Sequence, residues 1–273
     1  MKKLLCLFVF LAACTSCNWH PLSPRIDRSE AADSVFKIEE TITVSLVPYC
    51  EEKFGPDGMA DCLKENGETH ELSWTGTAWI AEWFGGRTRL LTAGHLCTTT
   101  PAYHYEEHGI SVDDDGEIGM VPIVSTKYRL FAVDGTEHDV TRVLKDSDDD
   151  DHDYCELEAD GIIGAPLPLA DSDPTVGQRC YYTGAPGGLW GGGLAVTGDM
   201  NYDGRGNMLN EKYESLYFTG LAAAGASGSP IICDGRVAGL LIEQSNYFEG
   251  VFSAVPYDVL RDVLDELDPW KGK

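Results

Sequence analysis

Short runs rich in β-branched and aromatic residues recur along the chain, and clusters of Gly, Asp and Pro separate them. Runs at residues 41–47, 77–83, 88–92, 127–133, 180–183 and 237–243 predict strands, and their density with turn punctuation predicts an all-β barrel or sandwich. One stretch breaks the rule. After Pro256-Tyr257, apolar Val259, Leu260, Val263, Leu264 and Leu267 recur at i, i+1, i+4, i+5 and i+8, which predicts an amphipathic C-terminal helix. No internal repeat of fixed period is found.

The N-terminus follows different rules. Met1-Lys2-Lys3 is a basic start, and the unbroken apolar run 4–13 is too short to span a bilayer, as expected of a signal peptide. The run closes in Leu11-Ala12-Ala13-Cys14, which resembles the bacterial lipobox, where a signal peptidase cuts before an acylated cysteine. The resemblance implies a signal peptide over residues 1–13, a lipidated Cys14 and attachment to a membrane. A plain secretory signal with an incidental cysteine is the other reading. Thr15 stands where the sorting rule keeps Asp in the inner membrane, which implies an outer-membrane position in a bacterial envelope. Residues 18–34, with Pro21, Pro24, Arg25, Asp27, Arg28 and Glu30, show no periodicity, so residues 14–34 read as a tether.

Composition narrows the function. A hydrophobic share of 43% supports a sizeable core over the 273 residues. Thirty Gly and 13 Pro disfavour a helical bundle. The net charge of −25, more negative still once Lys2 and Lys3 are removed, opposes any phosphate-neutralising role, so nucleic acid is not an expected partner.

Three segments carry candidate chemistry. The apolar strand Arg89-Leu90-Leu91-Thr92 stops at Ala93-Gly94 and presents His95. Gly225-Ala226-Ser227-Gly228-Ser229-Pro230 sets one serine among glycines, as a nucleophile on a tight turn requires, with the amides of Gly225 and Ser227 available to a developing oxyanion. Between them, Asp153 precedes Cys155 and Leu157 on one strand parity and can orient an imidazole. Asp151 shares that parity and is the fallback.

The order His, Asp, Ser and the motifs Thr-Ala-Gly-His and Gly-Ala-Ser-Gly-Ser-Pro resemble the chymotrypsin-like (trypsin-like) serine peptidases, in style the bacterial V8-like and HtrA-like branches. Tyr182-Thr183-Gly184 and Gly250-Val251-Phe252-Ser253-Ala254-Val255-Pro256 extend the likeness. The resemblance implies a peptidase domain over 35–273: two six-stranded antiparallel β-barrels, about 35–160 and 161–255, then the helix. It implies Ser227 as nucleophile, His95 as general base and then acid, Asp153 as the residue orienting His95, and Gly225 and Ser227 as oxyanion donors. The reaction is peptide-bond hydrolysis through an acyl-enzyme, on a protein or peptide substrate, with no cofactor and no metal. A catalytically silent binding module on the same fold and anchor is the alternative, and an esterase shares the machinery.

Departures refine the expectation. Ala226 stands where animal relatives keep an aspartate that pairs with the new N-terminus after zymogen cleavage. Leu221 and Ala222 stand where trypsin-like members keep a pocket acid, while Glu243 and Gln244 lie on the expected wall, so the pocket is expected to favour uncharged side chains. Cys180 and Cys233 resemble a recurrent second-barrel disulfide of the family. Cys50 and Cys62 bracket an eleven-residue loop containing Gly55-Pro56-Asp57-Gly58, their pairing and that of Cys97 with Cys155 are open, and Cys17 is left over. The acidic runs at residues 113–117 and 146–153 lack EF-hand spacing and read as solvated loops, and residues 201–207 read as a hairpin loop of the second barrel.

Overall fold

The computed structural model describes residues 27–97, 123–147, 152–191, 195–207, 213–244 and 248–266. Strands β1 (Val35–Ser45), β2 (Thr69–Phe84), β3 (Arg87–Thr92), β4 (Ile123–Phe131), β5 (Glu137–Asp146) and β6 (Cys155–Asp160) close a barrel in the order β1-β2-β3-β6-β5-β4. Strands β7 (Arg179–Gly184), β8 (Val196–Gly206), β9 (Ser215–Gly220), β10 (Pro230–Cys233), β11 (Arg236–Gln244) and β12 (Val251–Pro256) close a second in the order β10-β11-β12-β9-β8-β7. All neighbours within each barrel run antiparallel. Closure removes the unpaired edges that open sheets expose.

Alternation explains the barrels. In β1, Phe36, Ile38, Ile42 and Val44 point inward while Lys37, Glu39, Thr41 and Thr43 are only partly covered. Trp79, Leu90, Leu91 and Leu157 of the first barrel join Leu240 and Val255 of the second and Leu260, Val263 and Leu264 in one core. The last three lie on the C-terminal helix (Tyr257–Glu266), whose apolar stripe thus seats on the body of the molecule. Tyr182, Met200, Phe218, Ile231, Leu241 and Phe252 fill the second barrel. Burying each such side chain contributes about 1.5–3 kcal/mol.

Three differences from the sequence reading have local causes. Helix α1 (Arg28–Ala32) lies in the segment read as a tether, started by a capping box in which Asp27 accepts from the Ser29 and Glu30 amides. Helix α2 (Val47–Asn66) occupies the stretch between β1 and β2 that reads as a loop, because Gly55-Pro56-Asp57-Gly58 looks like a turn. Gly55, at φ +65°, breaks the helical backbone, and Pro56 starts a second helical segment at once, where its missing amide costs little. Residues 201–206 extend β8 rather than forming a hairpin loop: a bulge at Tyr202/Gly204 absorbs the glycine, and Arg205 pairs with Asp173, Glu214 and Asp258. Leu267 of the predicted helix lies outside the described residues.

The first barrel also buries charge. Arg89, 2% exposed, pairs with Glu156 and Glu82 and donates to the Leu264 carbonyl at 3.3 Å. Burial pushes the Glu156 carboxyl up to about 7 against the opposing pull of Arg89. This network ties β2, β3 and β6 to the end of the C-terminal helix.

Candidate active site

β3 ends at Thr92, and the chain turns through a 3-10 helix at Gly94–Leu96 that carries His95. Gly94 is required there: a Cβ would lie 2.8 Å from Asp153 Oδ1 and 2.9 Å from the Tyr154 nitrogen. Asp153 occupies the bend just before β6 and grips His95 at two points. Its Oδ1 accepts the His95 backbone N–H at 2.7 Å, and its Oδ2 lies 2.8 Å from the ring Nδ1. Nδ1–H donating to the carboxylate leaves Nε2 of the neutral ring as the acceptor. Ser147, at the end of β5, shapes the bend from behind, its hydroxyl oxygen accepting the Tyr154 N–H at 2.8 Å. The disulfide Cys97–Cys155 fastens the residues after His95 to the start of β6.

The ring is half exposed. Burial of the ring favours its neutral form, but the hydrogen bond and charge of Asp153, helped by the charges of Glu243 and Glu40, win, and the His95 pKa is raised above the ordinary imidazole value. Glu40 is 2% exposed on β1, and the Tyr128 hydroxyl donates to it at 3.0 Å.

Ser227 is supplied by the second barrel, in the loop before β10. Gly228 N–H donates to the Leu241 carbonyl at 2.7 Å, Ser229 N–H to Ala226 at 3.0 Å, and Ala226 N–H to Ala223 at 3.0 Å. Gly228, at φ +84°, packs against the first barrel so closely that a Cβ would lie 2.1 Å from the Thr77 carbonyl and 3.0 Å from the Ala93 nitrogen. The serine loop therefore abuts the strand end leading to His95. Gly225 takes φ +89°, a left-handed conformation that favours glycine. Among the described residues, the N–H groups of Gly225 and Ser227 donate to no protein acceptor, as an oxyanion site needs. No hydrogen bond joins Ser227 to His95 among them, a link that often tightens only with substrate. The disulfide Cys180–Cys233 bridges β7 and β10 at the end of β10 away from this loop, and Cys50–Cys62 closes α2 on itself.

The other sequence-predicted positions fall around this centre. Leu221 is 84% exposed, and Ala222 is partly buried against the second-barrel core. Glu243 is exposed near the end of β11, close enough for its charge to act on His95, and Gln244 ends that strand. Ala226 is 2% exposed among apolar neighbours. His152 rests its ring on Tyr213, centroids 4.8 Å apart. Asp151, Cys14, Cys17 and residues 113–117 lie outside the described residues. Among those described, no three His, Cys, Asp or Glu side chains gather to hold a metal. Sequence reasoning missed Ser147 and Thr77. The only signal either offers is a small hydroxyl residue buried beside a motif.

Residues 76–240 match the family model of the trypsin-like peptidase domain. The fold is similar to the Rv3671c protease from M. tuberculosis in its active form, at 15% identity over 87% of this chain and 82% of that one, with a TM-score of 0.54. The inactive form of the same protease gives 13% identity and a TM-score of 0.52 over 87% of this chain and 90% of that one. An HtrA-type protease, AlgW, solved with a tripeptide, gives 15% identity and a TM-score of 0.58 over 89% of this chain and 62% of that one. No curated protein matches the sequence.

Proposed function

Because the chain belongs to the trypsin-like peptidase family, which makes it a serine-type endopeptidase acting on protein or peptide, we propose that His95, Asp153 and Ser227 are its catalytic residues. The observation that carries this is the two-point grip of Asp153 on the backbone and ring of His95, set against a serine loop with two undonated amides. Ser227 Oγ attacks the scissile carbonyl as His95 Nε2 takes its proton. Asp153 stabilises the imidazolium that forms, and the N–H groups of Gly225 and Ser227 hold the oxyanion. His95 returns the proton to the leaving amine. A water activated by the same ring then opens the acyl-enzyme.

The test is labelling by a fluorophosphonate probe. The native chain is expected to be labelled and Ser227→Ala not, with turnover lower by at least about a thousandfold. Undiminished labelling of Ser227→Ala removes Ser227 from the mechanism, and no labelling of the native chain favours the silent binding module. At the cleaved bond, Leu221 and the alanines after it offer no carboxylate, so an uncharged residue is expected just before the scissile bond. Dominant cleavage after Lys or Arg in a peptide library would assign that pocket to Glu243 instead.

We also propose that acylated Cys14 holds the enzyme on a membrane, in the bacterial envelope and on the outer membrane. The support is the sequence Leu11-Ala12-Ala13-Cys14 after an apolar run. No helix among the described residues is long and apolar enough to cross a membrane. Cys14→Ser is expected to move the protein to the soluble fraction, because the acidic surface gives anionic lipid nothing to hold. Unchanged membrane association overturns the anchor.

A further inference from the structure

Thr77, fully buried on β2 of the first barrel, makes three hydrogen bonds with segments of the second. Its hydroxyl oxygen accepts the Ala185 N–H at 3.0 Å, and its hydroxyl proton goes to the Gly225 carbonyl at 2.9 Å. Its own backbone N–H donates to the Ser227 carbonyl at 2.9 Å. Its carbonyl takes the Thr92 hydroxyl at 2.7 Å, which anchors β2 to the end of β3, just before His95.

The geometry points to Thr77 as a positioning residue that holds the Gly225 amide of the oxyanion site in its working orientation. This rests on the triad reading above. In a peptide the C=O and N–H point in opposite directions, so whatever holds the Ala224 carbonyl aims the Gly225 N–H. That carbonyl is held by the Gly187 N–H, in the short turn Pro186–Gly188. Thr77 fixes the start of this turn through Ala185 and fixes the peptide on the far side of Gly225 through its carbonyl. Gly225 has the backbone freedom of φ +89°, and without both restraints its amide is free to turn away. The space is also filled: a Cβ on Gly225 would lie 2.5 Å from the Ala185 carbonyl, and one on Gly184 would lie 2.7 Å from Thr77 Oγ1. Ala226 supplies no carboxylate for an ion pair that would steady the same loop, so this hydroxyl relay stands in its place.

The test compares Thr77→Val, which keeps the shape and loses the hydroxyl, with Thr77→Ser, which keeps the hydroxyl. Thr77→Val is expected to lower kcat on the order of a hundredfold with KM within about twofold, as misplacement of a transition-state contact does. Its rate of fluorophosphonate labelling falls in parallel, and the acid limb of the pH profile stays where it was, since His95 and Asp153 are untouched. Thr77→Ser restores kcat to within a few-fold. Equal kcat in native and Thr77→Val proteins overturns the inference, as does a loss that only tracks the unfolded fraction seen by thermal melting. If Thr77→Val does not fold, hydrogen exchange in the native protein decides: slow exchange at the Ala185 amide supports the relay, and fast exchange overturns it. A native chain that no probe labels defeats the triad reading, whereas a labelled native chain with an equally labelled Thr77→Val defeats the relay alone.

Discussion

The two halves of the proposed catalytic centre are built by different means. The acid-base half lies wholly within the first barrel. Asp153 holds His95 at two points, Ser147 braces the bend, and Cys97–Cys155 makes the arrangement covalent. The nucleophile half belongs to the second barrel, yet its loop is steadied from outside, by Thr77 and by the close approach of Gly228 to the end of β3. One half is thus organised as its own barrel folds, and the other is complete only when the barrels meet. Loss of the seam is therefore expected to disable acylation before it disturbs the His-Asp pair.

The largest blow to the self-contained half is Asp153→Asn. It leaves the shape and removes the charge that stabilises the imidazolium, and kcat is expected to fall by about ten-thousandfold while the melting temperature barely moves. A loss under tenfold shows that another carboxylate orients His95. On the other half, Gly225→Ala forces a Cβ to within 2.5 Å of the Ala185 carbonyl at a left-handed φ. A loss of about a hundred- to a thousandfold in kcat is expected, with KM nearly unchanged. Full activity would mean the amide does not face the oxyanion.

Removing the Cys97–Cys155 bridge by a double serine substitution frees a loop with a sequence separation of 58, so stability is expected to fall by about 4 kcal/mol on chain-entropy grounds. At low temperature the two hydrogen bonds that His95 donates to Asp153 keep activity within a few-fold, and a collapse of activity in the folded protein would show that the bridge itself sets the geometry. The smallest effect is expected from Glu243→Gln. The raised His95 pKa means that the ring becomes a base only above the ordinary imidazole value, so the acid limb of kcat/KM lies above pH 6.5. Withdrawing the Glu243 charge lowers that limb slightly. The linked stability has the same sign: pairing of the protonated ring stabilises the fold fully below the unfolded imidazole pKa and is lost as pH rises through the raised one. An upward move of the limb contradicts the assignment.

These parts were not equally legible beforehand. Alternation in β1 and the helical stripe through Leu260 and Leu264 announce a barrel strand and a terminal helix, because one face of each element must be buried. His95, Asp153 and Ser227 are readable because their motifs are local. The supports are not local. Thr77 acts across the seam on Gly225, far away in sequence, and nothing in Gly76-Thr77-Ala78 reveals that partner. Nothing in the run Arg89-Leu90-Leu91-Thr92 reveals that the Arg89 charge is buried because Glu156 and Glu82 arrive from other strands. Helix α2 is hidden by a Gly-Pro pair that does break the helical backbone, at Gly55, but lets a second helical segment start at once at Pro56.

That helix has a consequence of another kind. Ser45 and Thr69 face each other across the β1–β2 ladder, and Leu46 N–H donates to the Glu68 carbonyl at 2.9 Å, so the stretch leaves and rejoins the barrel at neighbouring points. Inside it, Cys50 and Cys62 make a small core of their own with Tyr49, Met59 and Leu63. A segment that closes on itself and starts where it ends is an exchangeable cassette. Cutting it to a hairpin turn would leave the β1–β2 register as it is, but Ile42, Val44 and Trp74 would lose the cover that Tyr49 gives them.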